Sequence, residues 1–150
     1  MRVVIQRVSE ASVKVDGAIV GAIQAGLMVL LGIQNEDTLE DIQWISNKLV
    51  QLRIFDDAEG VMNHSLQETG GSILLISQFT LYAATKKGNR PSYIKAADSK
   101  NAKIMYDQTI SEFETVLKRK VSTGKFGANM EVSLVNNGPV TITIDSKKKE

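Results

Sequence analysis

The 150-residue sequence has no cysteine, which removes disulfides, thiol catalysis and cysteine-ligated zinc, and fits a reducing compartment. Its single histidine, His64, cannot form a histidine cluster for zinc. No apolar run approaches the ~20 residues that a membrane-crossing helix needs. The opening Met1-Arg2-Val3-Val4-Ile5-Gln6-Arg7 lacks the apolar stretch of about 7–15 residues that marks a secretory signal, so a cytoplasmic location is expected. A charge excess is missing too. The formal net charge is +1, so a polyanion must be held by a local patch and not by a global field. Familiar catalytic signatures are also absent. There is no Gly-x-Ser-x-Gly elbow, no phosphate loop and no dinucleotide fingerprint. A serine triad needs a histidine held by a carboxylate, and His64 reads as a loop histidine without that setting. The acids of Asp56-Asp57-Ala58-Glu59-Gly60 do not fall at the spacing of a calcium loop, so a solvated turn is expected.

What is present suits one globular core: 43% of residues are hydrophobic and 23% charged. Residues 3–8 read as a strand. Residues 12–16 alternate, and Asp16-Gly17 signals a hairpin into residues 18–23. Residues 27–33 form a continuous apolar run of strand length, expected to be buried on both faces. Asp37-Thr38-Leu39-Glu40 has capping-box spacing and opens a helix with apolar positions Leu39, Ile42, Ile45, Leu49 and Leu52. Residues 53–55 read as a short strand. Residues 72–82 read as one strand that begins apolar and turns polar at Ser77, Gln78 and Thr80. Those polar groups either bond neighbouring loops or face a ligand at the strand's end. A polar, basic loop spans residues 83–92, and a second helix is expected over 99–118 with a core-facing stripe. Lys118-Arg119-Lys120 suits the negative end of that helix's dipole.

Only two prolines occur, and one is in Asn136-Asn137-Gly138-Pro139-Val140-Thr141, between alternating runs at 130–135 and 140–144. Asn-Gly in that setting predicts a hairpin turn. Pro139 has no N–H and is confined to a strand start or an edge. A second reading is that the Gly138 and Pro139 carbonyls are offered to a ligand. About seven strands and two main helices make one α/β domain, with a mostly antiparallel sheet. Residues 1–145 form that domain, and 146–150 are expected to be a charged flexible tail. If the protein is an enzyme, it supplies positioning and oxyanion stabilisation through backbone N–H groups. Protons must then be handled by water or by the substrate. Thr80 is a candidate nucleophile, but nothing nearby in sequence activates it.

Ser77-Gln78-Phe79-Thr80-Leu81 together with Asn136-Asn137-Gly138-Pro139-Val140-Thr141 resembles the D-aminoacyl-tRNA deacylase family. The likeness extends over Ile5-Gln6-Arg7-Val8, Ala25-Gly26-Leu27-Met28-Val29-Leu30-Leu31-Gly32, Arg53-Ile54-Phe55-Asp56-Asp57, Arg90-Pro91-Ser92 and Met130-Glu131-Val132-Ser133-Leu134-Val135, nearly the whole chain. The resemblance implies twisted, barrel-like sheet layers and hydrolysis of D-aminoacyl-tRNA to free tRNA and D-amino acid, by a homodimer without metal or cofactor. It implies that Ser77, Gln78, Phe79 and Thr80 line the catalytic pocket, with the Phe79 N–H facing the ester oxyanion. It also implies that a cis Gly138-Pro139 enters the partner subunit's pocket, oriented by Arg7, and that the 2′-hydroxyl of the terminal adenosine takes part in catalysis.

Rigid carbonyls beside the substrate Cα would leave room for hydrogen but not for a side chain, which rejects L-aminoacyl esters by clash. Glycine has no side chain to exclude, so glycyl-tRNA is expected to be hydrolysed. Lys86, Lys87, Arg90 and Lys125 are candidates for tRNA phosphate contacts, with Lys118, Arg119 and Lys120 extending the surface. The competing readings are an L-seryl-tRNA editing module of the kind fused to archaeal threonyl-tRNA synthetases, against which the Asn-x-Gly-Pro-x-Thr motif argues, and a non-catalytic RNA-binding dimer.

Overall fold

The computed structural model describes all 150 residues. The chain runs β1 (Arg2–Val15), β2 (Ala18–Ile23), β3 (Gly26–Gly32), α1 (Leu39–Gln51), β4 (Arg53–Asp56), β5 (Met62–Ser65), α2 (Leu66–Thr69), β6 (Ser72–Ser77), a 3₁₀ turn (Phe79–Tyr82), α3 (Ser99–Leu117), β7 (Ser122–Thr123) and β8 (Glu131–Asp145). β1 is a single strand where the sequence suggested two. At its far end Asp16 (φ 51°) and Gly17 (φ 78°) make the two-residue turn that Asp-Gly signals. β2 and then β3 return along the same edge of β1, from Ala11 opposite Ile23 to Arg2 opposite Gly32.

Parallel strands need long crossovers, and two are present. α1 with the β4–β5 ribbon carries the chain from β3 to β6, and α3 carries it from β6 to β7. The remaining pairs are antiparallel, so the mostly antiparallel sheet holds, with a parallel segment at its centre. The sheet curls until β7 meets β2, where the Ser122 hydroxyl donates to the Ala22 carbonyl at 3.1 Å. That closure leaves β3 and β6 covered on both faces. Val29, Leu31, Ile73 and Leu75 pack with Ile42, Ile45 and Leu49 of α1 and Phe113 and Leu117 of α3. Met28, Leu74 and Ile76 pack inside the barrel with Val8, Ala11, Val13 and Ile23. The unbroken apolar runs read in sequence are this two-sided burial.

The largest departure is at the C-terminus. The two runs around Asn136-Asn137-Gly138-Pro139 do not form a hairpin. They are collinear halves of β8, and both pair with β1: Lys14 opposite Glu131 through Val8 opposite Asn136, then Gln6 opposite Thr141 through Arg2 opposite Asp145. Residues 137–140 are extruded opposite Arg7 as a wide bulge. Asn-Gly and Pro139 signal a turn, but local sequence cannot reveal that a long third strand takes both flanks. Asn136 bridges the bulge, its Oδ1 accepting from the Val140 N–H at 2.8 Å and its Nδ2 donating to the Thr141 hydroxyl at 3.1 Å. Pro139 sits where no ladder bond is made, as a residue without an N–H must.

Smaller corrections have local causes. α1 is capped one residue later than expected, by Thr38 with Asp41. Asp37 is instead taken by the Met1 amino group and the Gln34 N–H. His64 lies in β5, not in a loop. The short α2 was missed, although Ser65-x-x-Glu68 forms a reciprocal capping box and Gly70 closes it at φ 69°. The strand predicted over 72–82 stops at Ser77. Within residues 146–150, expected as a flexible tail, three side chains contact the domain. Ser146 is buried, Lys147 Nζ pairs with Asp41 at 2.7 Å, and Lys149 Nζ lies 4.6 Å from the Trp44 ring centroid.

Burial alone would raise the Asp41 carboxyl, but hydrogen bonds from Lys147, Ser146 and Thr38 outweigh it and hold the group well below the usual carboxylate range. A carboxyl depressed on folding contributes its full stability above the unfolded value of about 4 and loses that contribution as pH falls through the folded value. Asp41→Asn is therefore expected to lower stability at neutral pH and to flatten the decline below about pH 4, as measured by denaturant unfolding across pH. An unchanged acid limb would show that the Asp41 contacts do not persist in solution.

Candidate active site

Ser77 ends β6 opposite Leu31, at the C-terminal end of the parallel pair. Ligands commonly bind at such ends, where strands stop and loops diverge. The Gln78 N–H donates to the Leu31 carbonyl at 2.7 Å, and the chain then enters the 3₁₀ turn. Gly32 allows this approach: a Cβ there would lie 3.0 Å from Leu81 Cβ and 3.1 Å from the Gln78 carbonyl oxygen. The first N–H groups of a helical turn have no acceptor within it. Neither the Phe79 nor the Thr80 N–H enters a loop, turn or cap hydrogen bond. Both are therefore placed at the strand end as available donors.

Ser77, Gln78 and Phe79 open onto a cavity of about 610 Å³, whereas Thr80, expected to line it, is not part of its wall. Ser77, Gln78 and Phe79 form one wall, Tyr93 and Ala97 another, and Phe126 to Met130 a third. No carboxylate, histidine, lysine or arginine lines it. Phe79 is exposed and meets Tyr93 edge-on, with ring centroids 5.0 Å apart at 74°. The Gln78 amide donates to the Thr80 hydroxyl, so that hydroxyl is engaged by a neutral group and not by a base. Tyr93 and the 126–130 segment were not singled out in sequence. Their signal is faint, because small residues and one aromatic in a loop look like any connection.

Gly138-Pro139 is a cis peptide, and it lies outside this cavity. Its neighbour is Arg7, which is buried. Arg7 Nε donates to the Asn137 carbonyl at 2.9 Å, while Nη1 donates to the Ile54 carbonyl at 2.7 Å and to Asp56 Oδ1 at 2.9 Å. Asp56 is half exposed and can rehydrate, so the two carbonyl bonds matter more, at about 1.5–3 kcal/mol each for a charged donor. Gly138, at φ 143°, has no room for a side chain, since a Cβ would lie 2.9 Å from the Val140 nitrogen and 3.3 Å from Arg7 Nη2. Within one chain, the structure thus brings Arg7 to Gly138-Pro139 and Ser77 to Thr80, but does not bring the two groups together.

Lys86, Lys87 and Arg90 are exposed on a loop closed by reciprocal Ala84–Ser92 backbone bonds, just before Tyr93. Lys125 is exposed beside Phe126. Tyr93, which follows the first three along the chain, and Phe126, which follows Lys125, both line the cavity. Arg119, expected to extend the surface, instead holds the Gly71 carbonyl at 2.5 Å, and Lys120 pairs with Glu114 at 3.1 Å. Lys118 closes α3 in the left-handed region, at φ 56°.

The family model for D-Tyr-tRNA(Tyr) deacylase matches residues 4–145. The chain belongs to the D-Tyr-tRNA(Tyr) deacylase family. Similar relatives are the D-aminoacyl-tRNA deacylases of Flavobacterium psychrophilum (57% identical) and Bacteroides fragilis (58%), each over 150 residues and 100% of both chains. That of Akkermansia muciniphila is 51% identical over the same span. Among solved structures, the c-Myc DNA Unwinding Element Binding Protein superposes with a TM-score of 0.92 at 37% identity, covering 97% of this chain and 98% of that one. A probable eukaryotic D-amino acid tRNA deacylase superposes with a TM-score of 0.81 at 18% identity, covering 95% and 97%, and supports the fold alone. As a family member the protein is a carboxylic ester hydrolase acting on aminoacyl-tRNA.

With its hydroxyl bonded to an amide and no base in the cavity, Thr80 lacks what activates a hydroxyl nucleophile. Thr80→Ala is expected to keep turnover within about tenfold, consistent with loss of a hydrogen bond and not of a covalent step. Rapid quench should trap no acyl-enzyme. Complete loss of activity in a folded variant, or a trapped ester, would assign Thr80 a covalent role.

Proposed function

We propose that this deacylase acts as a homodimer in the cytoplasm, with the Gly138-Pro139 segment of each subunit completing the other's cavity. The observation that carries this reading is the placement of the bulge. Residues 137–139 are exposed, anchored by Arg7, and away from the cavity of their own chain. A second copy supplies what one chain lacks. The Gly138 and Pro139 carbonyl oxygens stand beside the substrate Cα and tolerate hydrogen there. An L-aminoacyl ester must put its side chain in that place and is rejected by clash. A D-aminoacyl ester turns its side chain outward.

The Phe79 N–H stabilises the ester oxyanion, with Gln78 and Thr80 shaping the pocket beside Ser77. The 2′-hydroxyl of the terminal adenosine supplies the reactive group that the protein does not. The absence of any charged side chain or histidine from the cavity lining supports this division. A donor aimed at developing charge is most effective in such a poorly solvated setting. Lys86, Lys87, Arg90 and Lys125 hold phosphates at the mouth.

The deciding experiment is hydrolysis of matched D-, L- and glycyl-esters of one tRNA by purified protein. D-aminoacyl- and glycyl-tRNA are expected to be cleaved and L-aminoacyl-tRNA spared. Glycyl-tRNA as inert as the L-ester would sink the carbonyl sieve, and cleavage of L-seryl-tRNA in preference would favour the synthetase-type editing activity. In the same assay, substrate affinity should fall with salt, and the triple Lys86→Ala, Lys87→Ala, Arg90→Ala variant should reduce the log–log slope by roughly two to three. An unaltered slope would move the phosphate contacts elsewhere.

A further inference from the structure

Arg2 and Gly32 face each other across β1 and β3, and Asp145 faces Arg2 from β8 on the other side. Gly32 has no side chain, so the row is open at that point. Two things fill the opening. One is the 3₁₀ turn, whose Leu81 Cβ and Tyr82 Cδ2 come to 3.0 and 3.3 Å of where a Gly32 Cβ would stand. The other is the Arg2 side chain. Its Nη1 donates to the Leu81 carbonyl at 3.1 Å, its Nε donates to Asp145 Oδ2 at 2.8 Å, and its guanidinium lies 4.6 Å from the Tyr82 ring centroid. Tyr82 is buried, so the stacked face is a fixed surface.

We propose that Arg2 is a positioning residue for deacylation, holding the far end of the Phe79–Tyr82 turn so that its N-terminal N–H groups face the scissile ester. The inference deepens the reading of the Phe79 N–H as oxyanion donor and rests on it.

Carbonyls of a helical turn point towards its C-terminal end and N–H groups towards its N-terminal end. Fixing the Leu81 carbonyl from one end and seating the turn on Gly32 from below therefore sets the direction of the Phe79 and Thr80 N–H groups. A four-residue turn has too few internal bonds to hold that direction unaided. Asp145 in turn holds Arg2. A guanidinium suits this place because its planar fork can serve a carboxylate and a carbonyl at once while one face stacks on a ring. The role is distinct from phosphate binding, since Nε and Nη1 of Arg2 are directed at protein acceptors.

The test uses the full-length protein and steady-state hydrolysis of a D-aminoacyl-tRNA, with thermal unfolding of each variant alongside. Arg2→Ala and Gly32→Ala are each expected to lower kcat about tenfold, less than the loss of an oxyanion donor itself, because the N–H is misaimed and not removed. KM should stay within about twofold, as for an interaction expressed in the transition state. Arg2→Lys should recover part of the loss, since an ammonium can reach the carbonyl but not serve both acceptors in one plane. If Arg2→Ala lowers only the unfolding temperature, or raises KM with kcat intact, Arg2 is a structural or phosphate-binding residue and the proposal falls. If Gly32→Ala slows the reaction while Arg2→Ala does not, the oxyanion reading stands and the role of Arg2 is refuted. If neither slows it, the orientation of the turn does not govern the rate, and both fall together.

Discussion

Competition for β1 shapes this molecule. β1 offers two long edges, and every other feature follows from how they are filled. One edge takes β2 and β3, and the other takes both halves of β8. The two halves of β8 span more residues than β1 can pair. Between Gln6 and Val8 only Arg7 intervenes, whereas four residues lie between Asn136 and Thr141. The surplus must leave the sheet, and it does so opposite Arg7, whose Nε donates to the Asn137 carbonyl. Extruded backbone in a folded protein needs its polar groups satisfied by something other than the ladder. Asn136 and Arg7 provide this, and the result is a fixed main-chain projection instead of a mobile loop.

A comparable economy governs the cavity. β3 and β6 spend their side chains on two cores, one on each face, so nothing charged can come from them into the site. Only where β6 ends can polar groups appear, and there they are a hydroxyl, an amide and main-chain N–H groups. Burying an ionised acid or base among Leu31, Ile33, Ile76 and Phe126 would carry a desolvation cost of several kcal/mol. Uncharged donors avoid that cost and still stabilise charge that develops during reaction.

Much of this was legible in the sequence, and the misses share a cause. Strands and helices with strong periodicity, such as residues 27–33 and 39–51, were read correctly because their burial is written in their spacing. The motif strand was placed correctly, but its break after Ser77 was not. Phe79-Thr80-Leu81-Tyr82 is as β-prone as what precedes it, and its turn is imposed by packing on Gly32, which is distant in sequence. Asn-Gly was read as a hairpin because the rule is local, whereas the partner that straightened β8 lies more than a hundred residues away. Arg119 looked like a free cation at a helix end, and only the fold reveals that the Gly71 carbonyl claims it. The two motifs stand out in the sequence, and the resemblance they carry implies that they meet across two subunits. That the two motifs lie apart on one chain is a fact of three-dimensional register, since Arg7 pairs with Leu27 while Ser77 pairs with Leu31.

Main-chain machinery places its burden on residues that do not touch substrate. A carbonyl or an N–H cannot be mutated, and its direction can be changed only through what holds it. In this chain two arginines donate to carbonyls beside the two proposed working segments: Arg7 to Asn137, and Arg2 to Leu81. They differ in setting. Arg7 is buried and held by the Ile54 carbonyl, so its loss exposes several unmet acceptors and threatens the fold locally. Arg2 is partly solvated and its partners can rehydrate, so its loss spares the fold and acts on aim. In a site of this kind, sensitivity to substitution belongs to the anchors and to the glycines that admit the backbone.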